Sequence, residues 1–365
     1  MRTNKMRDYI VKDKKVFIGL EDSKRSWKLC SRSEKMVIHE TSMPTEYDGL
    51  IRYIKRSFPG CTVKVVYEAG FGGFWLHDLL ESDGIDCIVT PPNKVTQEKD
   101  TRVKNDRIDA RRLAKVLEDE DCKSCYVPDK ELREDRQISR TLIGIQKDLT
   151  RVQGRIRHFF NFHHLEGAFN GEDWRASDVK RLRTITLTAP LRFSLDILLK
   201  ELATLLECRR DLKKQLNVLS KKDRYRKTFE CIESMPGIGW MTAIRCVLEW
   251  GADLHRFNTG RRFSSFLGLT GSEFSTADTV RRGHITKQGK SFVRSWLIQC
   301  AWKGYVRDPV LLEKFQRVVG ATRSKKIAIV AVARKMAVRL WHLVVLGEKY
   351  QTGLLEEQIV PIVKC

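Results

Sequence analysis

The run Arg102-Val-Lys-Asn-Asp-Arg-Ile-Asp-Ala-Arg-Arg-Leu-Ala-Lys115 sets two carboxylates, Asp106 and Asp109, three positions apart among bases. On a helix, positions i and i+3 share a face, so these like charges repel unless something positive lies between them. The flanking bases or a divalent cation can fill that place. Two more acids, Glu21 and Glu68, stand at the ends of the predicted strands Val16–Leu20 and Val63–Tyr67. Mg2+ takes hard oxygen ligands in near-octahedral geometry and keeps waters that substrate oxygens can replace. Four carboxylates converging beside a basic surface would therefore form a metal-dependent phosphodiester-processing site. Any one of them alone reads as a solvated charge among the 46 Asp and Glu residues. The two strand ends and the i, i+3 pair together favour a metal site.

A second constellation is Gly268-Leu-Thr-Gly-Ser-Glu-Phe-Ser-Thr276, followed by Arg281-Arg-Gly-His-Ile-Thr-Lys-Gln-Gly-Lys290. A loop of small hydroxyl residues beside Arg281, Arg282, His284, Lys287 and Lys290 could hold a serine against a phosphodiester. A serine hydroxyl is a weak nucleophile that needs a base or strong stabilisation of the phosphoryl transition state. On the residues alone the stretch reads equally as an ordinary Ser/Thr/Gly loop. A basic loop also holds a nucleic-acid backbone more often than it cuts one. Pro236-Gly-Ile-Gly239 opens a helical stretch that runs to Trp250. Such a turn either presents backbone N–H groups to a phosphate or simply starts a helix.

Composition narrows the partners. A net charge of +22 attracts polyanions. Because the bases are spread along the whole chain, nucleic acid is favoured over a membrane surface. The opening MRTNKMRDYIVKDKK has no apolar core of a secretory signal. Ile327–Leu346, the most apolar late stretch, is broken by Arg334, Lys335 and Arg339 and reads as a buried helix, not a membrane span. Ten scattered cysteines suit reduced thiols in a cytoplasmic protein. Cys122 and Cys125 form a lone CxxC, short of the four ligands of structural zinc.

The elements that must position these groups follow from periodicity. Short strands are predicted at Val16–Leu20, Trp27–Cys30 and Val37–His39, then a helix over 45–57, a strand at Val63–Tyr67, a helix over Phe74–Ser82 and a strand at Ile85–Val89. Hairpin-like strands followed by βα units give a mixed sheet covered by helices, as in the ribonuclease H-like fold, although periodicity alone admits any α/β domain. After Pro128 apolar residues recur in steps of three and four. They run from Ile138, Leu142, Ile145 and Leu149 to Phe159, and again through Leu195, Leu198, Leu202, Leu205, Leu212, Leu216 and Leu219. That rhythm predicts two long helices in a coiled-coil hairpin or an oligomer seam, joined by a polar connection over about 161–190. Arg209 occupies one seam position of the second run.

Taken in order, these motifs resemble the DEDD-type transposases of bacterial insertion sequences, the IS-one-ten class of RNA-guided recombinases. The resemblance rests on Ile18-Gly-Leu-Glu-Asp-Ser-Lys24, Tyr67-Glu-Ala-Gly70, Arg102–Ala114, Pro236-Gly-Ile-Gly239, Phe266-Leu-Gly-Leu269 with Ser272-Glu-Phe-Ser-Thr276, and Gly283-His-Ile-Thr-Lys287. It implies an α/β plus α protein: a ribonuclease H-like (RuvC-like) domain over 1–127, a coiled-coil helical hairpin over 128–227, and a mainly helical C-terminal transposase domain over 228–365 with a nucleophilic serine. The family's metal-binding acids fall on Glu21, Glu68, Asp106 and Asp109, holding Mg2+ or Mn2+, and its serine on Ser275, with Ser272 as competitor.

The same resemblance implies donor and target DNA, an element-encoded structured guide RNA and a homo-oligomer, dimer or tetramer, as partners, in a bacterial cytoplasm and on the nucleoid. Base pairing would then read sequence while the protein holds backbone. Arg102, Lys104, Arg107, Arg111, Arg112, Arg281, Arg282, Lys287 and Lys290 are the expected nucleic-acid contacts. This chain has Glu21 where the family usually has Asp, with Asp22 beside it, and Gly271 where Pro is common. If the strand runs on, Asp22 projects to the opposite face, which favours Glu21 as ligand. Two other readings remain open: a RuvC-like hydrolytic nuclease using the same acids and water, and a non-catalytic nucleic-acid binder.

Overall fold

Val16, Ile18 and Leu20 alternate along the first strand and are fully buried, which fixes one face of a sheet. The strands are β1 (Lys15–Asp22), β2 (Trp27–Ser33), β3 (Met36–Met43), β4 (Thr62–Glu68) and β5 (Asp86–Thr90). They lie in the order β3-β2-β1-β4-β5. β2 is antiparallel to β1 and to β3, whereas β4 is parallel to β1 and to β5. The computed structural model describes residues 14–92, 105–165, 174, 176–276 and 279–352. It divides into two units, Met1–Val127 and Pro128–Cys365.

In the first unit, helices α1 (Tyr47–Ser57) and α2 (Trp75–Ser82) cover the Val16/Ile18/Leu20 face through Leu50, Ile54, Leu76 and Leu80. Helix α3 (Asp106–Glu118) covers the other face, where Leu113 and Leu117 pack on Val66, Phe17 and Ile88. The expected strands and helices are present, most of them a residue or more longer than the apolar runs that predicted them. A mixed sheet with helices on both faces is consistent with a ribonuclease H-like fold.

The second unit opens with two helices of 33 residues, α4 (Lys130–Phe162) and α6 (Ala189–Lys221), with the short α5 (Ala176–Arg183) between them. They run antiparallel. Leu149, Val152, Ile156 and Phe160 share a core with Leu195, Leu199 and Leu202 at one end, and Leu132 and Leu142 meet Leu216 and Leu219 at the other. Between Leu202 and Leu216, α6 buries no residue. Leu205, Leu206 and Leu212 are partly buried there and pack against the two end cores, so the predicted seam is thinner in its middle than at its ends.

The rest is α7 (Asp223–Glu233), α8 (Trp240–Trp250), α9 (Gly260–Phe266), the hairpin β6 (Gly271–Thr276) and β7 (Thr279–Ile285), α10 (Ser291–Gly304), α11 (Pro309–Thr322) and α12 (Lys325–Leu346). α12 is the expected buried helix, with Ala333, Met336, Ala337 and Leu340 in the core. Among the described residues no helix is long and apolar enough to cross a membrane. The stretch read as a loop over 268–290 is instead largely an antiparallel hairpin. Its strands are short and rich in Ser, Thr and Gly, so turn-type composition masks the pairing.

One buried carboxylate gathers three helices. The Glu249 side chain on α8 has no exposure and faces Arg140 Nε at 3.1 Å and Arg136 Nε at 3.8 Å, both on α4. Lys290, the residue that caps α10, is its third cation. Arg136 also donates to the Leu248 carbonyl at 2.8 Å. Burial pushes the Glu249 carboxyl up, but hydrogen bonds and charge from Arg140 and Lys290 outweigh it and hold the carboxyl below its usual range.

Replacing Glu249 with Gln leaves the nearly buried Arg136 facing a neutral group. Breaking such a buried pair costs about 3–5 kcal/mol. Because Arg140 and Lys290 are partly exposed and screened, the lower end, about 3 kcal/mol, is expected in urea unfolding at pH 7. The folded chain binds this proton less tightly than the unfolded chain. The stabilisation is thus complete above the ordinary glutamate range and is lost as pH falls through the lowered folded value, so Glu249→Gln should unfold with a flatter acid limb than the wild type.

Candidate active site

Two of the four acids are aligned by strand register. β1 and β4 are parallel, with Leu20 opposite Tyr67, so Glu21 and Glu68 are the next positions in step. On β5, Thr90 pairs with Glu68. Adjacent strands lie about 4.8 Å apart, so the two carboxylates leave neighbouring points on one sheet edge. Side chains alternate across a strand, and Phe17 and Val66 lie under α3. Gly19 and Glu21 continue the Phe17 face, and Glu68 continues the Val66 face. Both acids therefore belong to the side of the sheet that α3 covers.

Gly19 explains how α3 lies so close. A Cβ there would stand 2.2 Å from the Ala110 carbonyl oxygen and 2.4 Å from the Ala114 nitrogen. The helix backbone thus rests directly on β1. With Leu113 and Leu117 beside Phe17 and Ala110 over Gly19, the helix runs back along β1, and its first turn points toward the Glu21 end. That first turn carries Asp106 and Asp109, and the Asn105 side chain caps it by accepting from Arg107 N at 3.0 Å.

Two ion pairs fasten α3 to the antiparallel side of the sheet. Arg111 grips Glu40 on β3 with two nitrogens, which holds the Glu40 carboxyl below its usual range. Glu118 accepts from Arg32 Nε at 2.7 Å and from Lys35 N at 2.6 Å. Glu40 and Glu118 were not among the expected functional acids. Only Gly19 left a signal, since glycine inside a strand marks a close backbone approach.

The side chains themselves are not drawn into one cluster. Among the described residues, no group of three or more His, Cys, Asp or Glu stands close enough to hold a metal ion. Asp109 Oδ1 instead accepts from Arg112 Nη1 at 2.9 Å, and Asp106 is exposed. The donor chemistry fits a hard divalent cation, since all four groups are carboxylates delivered to one end of one sheet face. Asp22 is separately engaged: it accepts from the Trp27 indole at 2.8 Å, and a Cβ on Gly72 would strike its Oδ2 at 2.2 Å. Its place on the other face leaves Glu21 as the β1 candidate.

Of the expected nucleic-acid contacts in this unit, Arg107 is exposed, Arg111 and Arg112 are committed to Glu40 and Asp109, and Arg102 and Lys104 lie outside the described residues. In the second unit Ser275 sits on β6 with its backbone opposite Val280. Ser272 Oγ donates to the His284 carbonyl at 3.2 Å. Arg282 and Arg281 pair in register with Glu273 and Phe274, and Arg281 is exposed. Lys287 is exposed on a left-handed backbone turn with φ 54°. Lys290 is turned to Glu249.

The Pro236–Gly239 turn has a packing role of its own. Gly237 has φ 88°, and a Cβ there would lie 2.4 Å from the Cys300 carbonyl oxygen and 2.6 Å from Gly304 N. This glycine lets the turn dock on α10.

Comparison with known proteins identifies the family. Residues 18–165 match the family model of DEDD transposases of the IS110 type, and residues 229–316 match that of the IS116/IS110/IS902 transposase family. The chain is a transposase of this family. The transposase for insertion sequence element IS1111A of Coxiella burnetii is 24% identical, over 96% of this chain and 94% of its own. Putative transposase y4rJ of Sinorhizobium fredii is 26% identical, over 91% of this chain and 92% of its own. A second protein of that organism, putative transposase y4qE, is 28% identical over 65% of this chain, which spans 57% of that relative.

In this transposase the Gly19 contact should be indispensable to the site. Gly19→Ala puts a methyl group into the α3 backbone, an overpacking expected to cost about 1–3 kcal/mol. DNA strand transfer should fall at least tenfold with all four acids intact, measured beside the unfolding midpoint. Wild-type activity in a folded Gly19→Ala protein would show that α3 does not need this seat.

Proposed function

We propose that this transposase cuts and exchanges DNA strands through a phosphoserine intermediate on Ser275, with Glu21, Glu68, Asp106 and Asp109 as the ligands of Mg2+ or Mn2+. The observation that carries the reading is the in-step ending of β1 and β4 at Glu21 and Glu68, on the face where the first turn of α3 brings Asp106 and Asp109. A bound divalent ion would supply Lewis-acid polarisation of the scissile phosphate and offset its charge. The protein residues supply the rest. The Ser275 oxygen attacks phosphorus in line, a P–O(Ser) bond forms, and the leaving strand departs as a hydroxyl.

A hydroxyl on the partner strand then attacks the phosphoserine, and the serine oxygen regains a proton. One phosphodiester is exchanged for another, so no energy-rich cofactor is consumed. Arg281, Arg282 and Lys287, near Ser275 in the chain, are the bases that would hold the phosphate backbone. Guidance by an element-encoded structured RNA fits the excess of base in a chain of net charge +22. In this reading α4 and α6 serve as dimer or RNA-holding elements of a homo-oligomer that works in the bacterial cytoplasm on the nucleoid.

The test incubates the full chain with element-derived RNA, both DNA sites and Mg2+, then denatures the mixture and maps any protein–DNA adduct by mass spectrometry. The adduct should sit on Ser275 and be lost in Ser275→Ala, with strand transfer down on the order of a thousandfold or more, as for removal of a nucleophile. Ser272→Ala should retain it. Chelation with EDTA should stop the reaction, and Mn2+ should restore it. Strand cleavage that survives Ser275→Ala with no adduct would instead make the enzyme a RuvC-like hydrolytic nuclease. Unchanged activity in Asp106→Ala with Asp109→Ala would leave the acids without a catalytic part.

A further inference from the structure

The middle of α6 turns a basic face toward the start of α8. Leu206, Arg209, Arg210, Lys213, Lys214 and Asn217 on α6, with Trp240 at the start of α8, line a groove of about 550 Å3. Arg209 and Lys213 stand at i and i+4, so they share a helix face and repel one another. Both are half-buried, and among the described residues neither has an acidic partner. Their neighbours differ: Arg210 pairs with Glu207 at 2.9 Å and with Asp211 at 3.2 Å, while Lys214 lies 3.8 Å from Asp211.

Burial, and then the charge of Arg209, push the Lys213 ammonium below its usual range. Both forces would be relieved by an anion lying across the pair. Trp240 is 37% exposed and lines the same groove. It follows Gly239, which caps α8 without a side-chain hydrogen bond, so the first turn of that helix adds positive potential at the same place. A half-buried cation pair beside an open indole face is the chemistry that binds a phosphate and stacks the base attached to it.

We infer that this groove is a subsite for one unpaired nucleotide, with its phosphate across Arg209 and Lys213 and its base on Trp240. It accounts for Arg209, a charged residue at a position where the heptad pattern calls for leucine. The site rests on the transposase's handling of nucleic acid but not on the serine mechanism, because binding here needs neither Ser275 nor a metal.

The test measures binding of the full chain to single-stranded 12-mers of oligo-dT and oligo-rU by fluorescence anisotropy over a salt series without divalent metal. Arg209→Ala with Lys213→Ala should weaken binding tenfold or more. It should also reduce the slope of log affinity against log salt by about 0.7, the value of one phosphate contact on a single strand. The exposed pair Lys325→Ala with Lys326→Ala removes the same charge elsewhere and should do much less. Trp240→Ala should lose about 5- to 150-fold, the value of one stacked base, and Trp240→Phe should recover most of it. A 5-iodouracil oligonucleotide should crosslink to the peptide containing Trp240 on irradiation. Preference for oligo-rU assigns the groove to a guide transcript and preference for oligo-dT to opened DNA; either supports it. Equal losses in the groove and control pairs, crosslinks only elsewhere, or full competition by a blunt duplex would overturn it.

Discussion

Everything at the acidic end of the first unit depends on a contact that glycine alone permits. Gly19 has no Cβ because the Ala110 carbonyl of α3 stands where that atom would be. The helix can then lie flat on β1, and the depth at which it lies sets where its first turn meets the strand ends. A layer of Leu113, Leu117, Val66 and Phe17 holds it there by burial, worth roughly 1.5–3 kcal/mol for each large apolar side chain. The Arg32–Glu118 pair, with only 14% and 6% of its side chains exposed, fixes the far end of the helix in register. The exposed Arg111–Glu40 pair contributes direction more than energy. Three different forces thus agree on one placement for Asp106 and Asp109.

The charge excess is organised by the same economy of acids. Buried carboxylates anchor the fold through the partners they draw in. Glu249 draws in Arg136, Arg140 and Lys290. Asp308 caps α11 through Leu311 N at 2.8 Å while meeting Arg339 and Tyr350. Much of the +22 charge is carried by exposed side chains on the surface. There it acts over long range on a polyanion and weakens with salt. The division is physical: desolvated charges must be paired, while solvated ones are free to meet a ligand.

How far the sequence discloses this structure follows the range of the forces involved. The sheet was legible because Val16, Ile18, Leu20 and Val63, Val65, Tyr67 carry the period of a strand, and the ends at Glu21 and Glu68 follow from where that period stops. Their match in register was not legible, since it comes from parallel pairing between segments far apart in the chain. The long helices were legible from their heptad rhythm. The thinner packing between Leu202 and Leu216 was flagged only by Arg209, because Leu205 and Leu212 keep the rhythm there and pack against the end cores. The hairpin at Gly271–Ile285 was read as a loop, for its residues have turn-forming types and its order comes from cross-strand hydrogen bonds. The ion-pair partners of Arg111, Arg112 and Lys290 were not legible, because a one-dimensional reading does not place Glu40 or Glu249 beside them or show which way the Asp109 side chain turns.

Carboxylates from two strand ends and one helix turn are proposed to share a single divalent ion. Iron(II) with ascorbate and peroxide tests it most directly, because radicals formed at a bound iron cut the nearby polypeptide. Fragments ending near residues 21, 68 and 106–109 should appear together, be suppressed by excess Mg2+ and be absent when Glu21, Glu68, Asp106 and Asp109 are all replaced by their amides. Cuts centred elsewhere, or unchanged in that variant, would contradict it.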